Sequence, residues 1–186
     1  MYAGRRGQPA LLRADYAVEV KLAVGDIVVY GNHGIGRVSA RKQQAVLGAT
    51  REVVVLTLEG DLTVTLPVEL AQTQLRPLAS KADLRRVEET LLADGELSTD
   101  AWLSRRRATM EKLAGGDPVQ LAEIVSEGAQ RERLRSAKGA KPQLSSGERE
   151  IFTKARRLLS GEIALALGIQ PAAADGWIDE HLARPA

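Results

Sequence analysis

The chain has 186 residues, of which 44% are hydrophobic but only 3% aromatic, so its cores must be built from Leu, Val, Ile and Ala. It has no cysteine, which excludes disulfides, thiolate nucleophiles and cysteine-based metal sites. The formal charge of +2 averages unlike segments, because residues 102–157 carry thirteen basic residues against seven acidic ones between two acidic flanks. Such a basic stretch suits an anionic partner, although a solvated arginine-rich helix surface would have the same composition.

The N-terminal third of the chain has the pattern of short strands. Residues 1–21 show no sustained hydrophobic period, and we expect a flexible extension there. Turn residues fill Gly31–Gly36, where the glycines tolerate positive φ, and Pro67 ends the last strand. Four segments have the strand pattern: Asp26–Tyr30, Gly36–Arg41, Glu52–Leu58 and Leu62–Leu66. Short strands so closely spaced predict a small β-barrel of the SH3 or Tudor kind.

After Pro77 the hydrophobic period becomes that of helices. Predicted helix starts have capping side chains: Ser80 with Asp83, Asp100 before Trp102, Asp117 before Pro118, and Ser145 with Glu148. Apolar stripes follow these starts, the longest of them over residues 151–163, and a last short helix covers Pro171–Leu182. The sequence therefore predicts an α+β, two-domain protein: a flexible extension over 1–21, a small SH3/Tudor-like β-barrel over 22–78 and an all-α helical domain over 79–186.

Several segments, taken in order, resemble the CarD/CdnL family of bacterial RNA polymerase-binding transcription regulators over about residues 22–167. Their order, with strands before helices, matches the layout of that family. The first two segments are Val24–Tyr30, leading into His33–Gly36, and Gly60–Val64, closed by Pro67. The later ones are Trp102 through Arg105–Arg107 to Glu111–Ala114 and Gly116–Asp117, then Leu144–Glu148, Lys154–Arg156 and Gly161–Glu162.

The resemblance implies a non-enzymatic transcription regulator that needs no cofactor or metal. Its Tudor-like barrel would bind the RNA polymerase β subunit. Its helical domain would contact promoter DNA, without sequence specificity, through the minor groove and phosphates at the upstream edge of the melted bubble. A tryptophan in this family wedges into the distorted minor groove and stabilises the open complex. We expect a monomer in the cytoplasm, with no membrane segment, associated with the nucleoid through RNA polymerase.

The expected DNA-binding residues are Trp102, Arg105, Arg106, Arg107 and Arg149. Arg105 and Arg106 follow Trp102 at helical spacings of three and four, so they share its face. An apolar wedge beside phosphate-binding cations is the arrangement that holds an unstacked base step. Arg149 lies at a predicted helix start, where the dipole and free N–H groups favour phosphate. The alternative for Trp102 is a core side chain packed against the preceding helix.

The expected polymerase contacts lie on and near the predicted strand Leu62–Leu66, whose alternation and closing proline suit the edge of a sheet. Members of the family tend to carry basic residues where this chain has Gln44 and Thr65, so nearby Arg41, Lys42 and Arg51 would supply the charge. The expected polymerase-binding residues are Arg41, Gln44, Arg51, Thr63, Thr65 and Leu66.

Two alternatives stay open from the sequence. The chain could be an interaction adaptor, or a divergent polymerase-binding paralogue, without DNA activity. The densest basic run, over residues 131–141, is interrupted by Glu132 and fits a solvated helix end as well as it fits a DNA contact.

Overall fold

The computed structural model describes residues 20–46, 48–93, 97, 102–137 and 144–183, and it confirms the predicted fold class of a small β domain followed by helices. The strands are β1 (Ile27–Val29), β2 (Ile35–Val46), β3 (Ala49–Leu58) and β4 (Thr63–Pro67). The helices are α1 (Val68–Gln74), α2 (Lys81–Leu92), α3 (Trp102–Gly115), α4 (Pro118–Ala137), α5 (Ser146–Leu167) and α6 (Pro171–Ala183). We call β1–β4 with α1 the β module, and α2–α6 the helical module.

The four strands form one antiparallel sheet in the order β1-β2-β3-β4. Strands β2 and β3 make a long hairpin that closes at Val46 and Ala49, and their register shifts between Val38 and Ala40. Alternate residues of β3, among them Val54 and Leu56, are buried in the core of the module, as the period-two pattern predicts. Strand β4 is last in the order, so within the described residues one of its edges pairs with no other strand.

Helix α1 was not predicted from the sequence. Pro67 ends the strand but is also the N-cap of this helix, because its fixed φ is compatible with a helix start. The helix buries Ala71 in the core of the β module, and Leu75 follows it into the same core. The next residue, Arg76, pairs with Val29 of β1 through two backbone hydrogen bonds of 2.8 and 3.0 Å. The end of α1 is therefore fixed to the sheet.

The helix starts in the helical module have the predicted caps. The side chains of Ser80 and Ser145 each accept a hydrogen bond from the backbone N–H three residues on, and the carboxylates of Asp83 and Glu148 accept one from the serine backbone N–H, so both predicted capping boxes are present. Asp117 caps α4 by accepting from two backbone N–H groups at 3.0 Å. The predicted start of α3 at Asp100 lies outside the described residues.

Each module has a hydrophobic core of its own. The helical core is centred on α5, whose Ile151, Ala155, Leu159 and Ile163 lie on one face, as the apolar stripe predicts. The core of the β module includes Val20, within the predicted extension, whereas residues 1–19 lie outside the described residues. The two clusters share no residue. Within the described part of the chain, no helix is long and apolar enough to span a membrane.

Candidate functional site

The unpaired edge of β4 is exposed on alternate residues. Thr63 and Thr65 are exposed, whereas Leu66 is 7% exposed and belongs to the core of the β module. The predicted edge strand is therefore present, and the side chains on its exposed face include Thr63 and Thr65. Any contact made by Leu66 with a partner would use its backbone.

The register of the sheet divides the expected polymerase-binding residues between its two faces. Residues directly opposite each other in neighbouring strands point to the same face. Thr65 lies opposite Val55 of β3. Arg51 is on the same strand as Val55, an even number of residues away, so it points to the same face. Arg51 in turn lies opposite Gln44 of β2. One face thus carries five exposed polar residues, which we call the β4-edge surface: Lys42, Gln44, Arg51, Thr63 and Thr65.

Arg41 lies on the other face of the sheet, in line with Val54 and Leu66. Its guanidinium donates two hydrogen bonds to the Glu52 carboxylate, at 2.5 and 3.0 Å. The hydrogen bond from Arg41 lowers the pKa of Glu52 and the bond to Glu52 raises the pKa of Arg41, so both groups stay charged as a pair. The β4-edge surface instead has Lys42 and Arg51 as its cations. Strand alternation in the sequence could have identified Lys42 as part of this surface.

The first two turns of α3 hold the expected DNA-contacting residues. Trp102 is the first residue of the helix, and its side chain lies outside the described part of the structure. Leu103 is 75% exposed, and Arg106 and Arg107 are exposed on the same part of the helix. Leu103, Arg106 and Arg107 form what we call the α3 surface, on which an apolar side chain is accompanied by two cations.

Arg105 connects α3 to the start of α5 rather than facing solvent. Its guanidinium lies 3.6 Å from the Glu148 carboxylate, and both side chains are mostly buried. Glu148 also closes the capping box at Ser145, so this ion pair holds the first turn of α5 beside α3. Arg149, the next residue, is exposed and lines a shallow cavity of about 510 Å³ together with Lys154 and Arg157. The ion pair therefore places the first turn of α5, which holds Arg149, beside the first two turns of α3.

Most other described arginines of the helical module have structural partners. Arg131 pairs with Glu127 at 2.7 Å, and Arg133 donates to the Leu182 carbonyl at 2.9 Å. Arg156 joins α5 to α6 through Asp179 at 2.8 Å, and this hydrogen bond raises its pKa. These arginines therefore have roles in holding the helical module together. Lys138 and Lys141 of the basic run lie outside the described residues.

Two family models match the chain in the order of its modules. The model described as "CarD-like/TRCF RID domain" matches residues 22–79, and the model described as "CarD, C-terminal domain" matches residues 86–179. These matches define a transcription-related protein of the RNA polymerase-interacting class. The chain belongs to the CarD family, whose members are regulatory proteins.

A curated relative supports the same assignment. The chain is 22% identical over 148 residues to the Bacillus subtilis (strain 168) protein named "Putative transcription factor YdeB". The similarity covers 78% of this chain and 92% of that protein, so it includes both modules.

Proposed function

We propose that this protein binds the β subunit of RNA polymerase through the β4-edge surface, contacts promoter DNA through α3 and the start of α5, and stabilises the open complex. The observation that carries the proposal is the exposed pair Arg106 and Arg107, four and five residues after Trp102, in the part of the chain matched by the CarD C-terminal domain. We propose a regulatory, non-enzymatic role for a monomer that acts in the cytoplasm, at polymerase on the nucleoid.

The β4 edge is suited to bind an extended segment of polymerase as an added strand. Backbone groups of the edge would supply hydrogen bonds, and the exposed Thr63 and Thr65 would contact side chains of the added strand on one face of the sheet. Lys42 and Arg51 on the same face would favour an acidic partner segment and increase the association rate. Gln44, opposite Arg51, would add a neutral polar contact.

The α3 surface is suited to DNA that is already distorted. Arg106, Arg107 and Arg149 can neutralise phosphates, which gives binding without base recognition and with strong salt dependence. Trp102 would insert between base steps at the edge of the melted region, where unstacking has already been achieved by polymerase. Because the wedge binds melted DNA better than closed duplex, it shifts the equilibrium toward the open complex.

The placement of the polymerase contact is tested by Thr65→Glu. This change puts a negative charge on the edge strand, where it would repel the proposed acidic partner segment, so we expect about tenfold weaker association with polymerase. The measurement is co-purification with the β subunit, followed by titration of labelled protein against polymerase.

Thr50→Glu is the matched control, since Thr50 is an exposed strand residue that the register places on the opposite face of the hairpin. It should bind polymerase as the parent does. Equal affinities for the Thr65→Glu variant and the parent would refute this interface. If the parent protein binds polymerase but the open complex lives no longer with it than without it, the protein would instead be an adaptor without DNA activity.

A further inference from the structure

A buried polar cluster joins the two modules at Arg76. The Arg76 guanidinium donates to both carboxylate oxygens of Glu162 in α5, from Nη1 to Oε1 at 2.5 Å and from Nη2 to Oε2 at 2.7 Å. The same guanidinium donates to the Gly116 carbonyl after α3, from Nε at 3.1 Å and also from Nη2. Glu162 accepts a further hydrogen bond from the Ala79 backbone N–H at 2.8 Å. We call Arg76, Glu162 and the Gly116 carbonyl the module latch.

Both ends of the latch are fixed to rigid elements. Arg76 is held in the β module by its backbone pairing with Val29. Glu162 lies in the C-terminal half of α5, the longest helix of the described residues, and its side chain is only 2% exposed. A buried carboxylate needs its partners, because leaving it unpaired is far more costly than losing an exposed pair. The latch therefore specifies one arrangement of the two modules.

Two glycines permit the close approach of the modules beside the latch. Gly116 has φ +62°, and a Cβ on it would lie 2.5 Å from the carbonyl oxygen of Gly31 in the β1–β2 turn. A Cβ on Gly31 would in turn lie 2.8 Å from the Ala114 carbonyl oxygen. Both distances are shorter than van der Waals contact, so any side chain here would force the modules apart.

Away from the latch the contact between the modules is looser. A cavity of about 630 Å³ lies between the sheet and helices α5 and α6. The ion pair between Arg157 and Glu59, at 3.2 Å, has side chains that are 60% and 73% exposed, and exposed pairs of this kind contribute little. Gly34 and Ile35 nevertheless lie close to Leu158 and Gly161 of α5, so the latch is the more buried polar part of a wider contact between the modules.

We infer that Arg76 is a positioning residue: through Glu162 and Gly116 it fixes the angle between the β4-edge surface and the α3 surface. This inference rests on the proposed function. A protein held in this orientation presents both surfaces at once, so contact with one partner raises the effective concentration of the other surface at its target. Loss of the latch should leave each contact intact and weaken their combined action.

The orientation can be measured directly because the chain has no cysteine of its own. Spin labels on Glu69→Cys in α1 and Glu180→Cys in α6, both exposed, report the distance between the modules by electron–electron double resonance. The full-length parent should give one narrow distance distribution. The variant Arg76→Met with Glu162→Met, which removes both charges so that no carboxylate is left unpaired, should give a broad one. A distribution as narrow as that of the parent would overturn the inference.

Gly116→Ala provides a second perturbation, and Gly168→Ala is its matched control. Both glycines end helices with positive φ, +62° and +66°, but a Cβ on Gly168 would meet nothing within 4 Å. Local strain is therefore similar in the two variants, and only Gly116→Ala should shift or broaden the distance between the modules. Equal distributions for the two variants would contradict the close-approach argument.

The functional part of the inference is tested with the same latch variant. It should bind polymerase alone and pre-melted DNA alone within about twofold of the parent, while the lifetime of the open complex falls about tenfold. A broad distance distribution with an unchanged lifetime would overturn the positioning role. If the parent itself does not lengthen the open-complex lifetime, the proposed function fails, whereas the distance measurements still decide whether the latch fixes the orientation.

Discussion

The α3 surface leads to a quantitative prediction about salt. Replacing Arg106 and Arg107 together with glutamine removes two exposed cations and leaves the buried pair between Arg105 and Glu148 in place. Because neither changed side chain is in the core, the free energy of unfolding should change by no more than about 0.5 kcal/mol. The effect should fall on DNA binding alone.

The magnitude follows from counterion release. Each phosphate neutralised on a duplex contributes about 0.9 to the slope of log affinity against log salt concentration. If each arginine neutralises one phosphate, the double variant should lose about 1.8 from that slope. Between about 50 and 200 mM salt, its affinity should therefore fall roughly tenfold less than that of the parent.

Fluorescence anisotropy with a labelled, pre-melted promoter fragment at several salt concentrations gives both slopes. Lys81 and Arg85 supply the control, since both are exposed on α2 and their change to glutamine alters the net charge equally. The control should keep the parental slope. An unchanged slope in the α3 variant, or equal losses in both variants, would refute a specific DNA contact at α3.

Two further predictions concern stability, and both are read from tryptophan fluorescence, because the two tryptophans of the chain, Trp102 and Trp177, lie in the helical module. Partial burial raises the pKa of Asp83, but hydrogen bonds from Ser80 and Arg86 outweigh it and hold this pKa below its ordinary value. Asp83→Asn should therefore lower the free energy of unfolding by about 0.5–1 kcal/mol at pH 7. This difference from the parent should disappear as the pH falls from about 4 through the lowered pKa of Asp83. A difference that persists in acid would contradict the assignment. Ile163→Ala, at a fully buried position, should cost about 2–5 kcal/mol in urea unfolding, and a cost below about 1 kcal/mol would place this residue outside the core.

The local features of the fold could be predicted from sequence because they depend on neighbouring residues. The alternation over Leu62–Leu66 and the helical stripe of α5 each reflect one buried face, and the capping boxes need only residues three apart. Helix α1 was missed because Pro67 is compatible both with the end of a strand and with the start of a helix. At that position the local sequence was compatible with two structures.

The parts of the candidate site that could not be predicted depend on contacts between distant residues. Arg105 was expected to contact DNA from the family resemblance and its helical spacing to Trp102, and no local pattern indicates its ion pair with Glu148, 43 positions away. The latch joins residues 86 positions apart, and no local pattern indicates that pairing. Lys42 was expected to supply charge near Gln44 but was not placed on a face of the sheet, because the predicted strand ended at Arg41. Strand β2 continues to Val46, and its alternation puts Lys42 on the same face as Gln44.

The central claim is tested most directly by measuring the open-complex lifetime with Trp102→Ala, alongside polymerase binding and the free energy of unfolding. Trp177→Ala is the control for a packed tryptophan, because Trp177 contacts the helical core and lies 4.0 Å, between ring centroids, from His181. We expect Trp102→Ala to shorten the lifetime while polymerase binding persists and stability changes by no more than about 0.5 kcal/mol. A lifetime equal to that of the parent, or a loss of stability of about 3–5 kcal/mol that marks Trp102 as a core residue, would contradict the account.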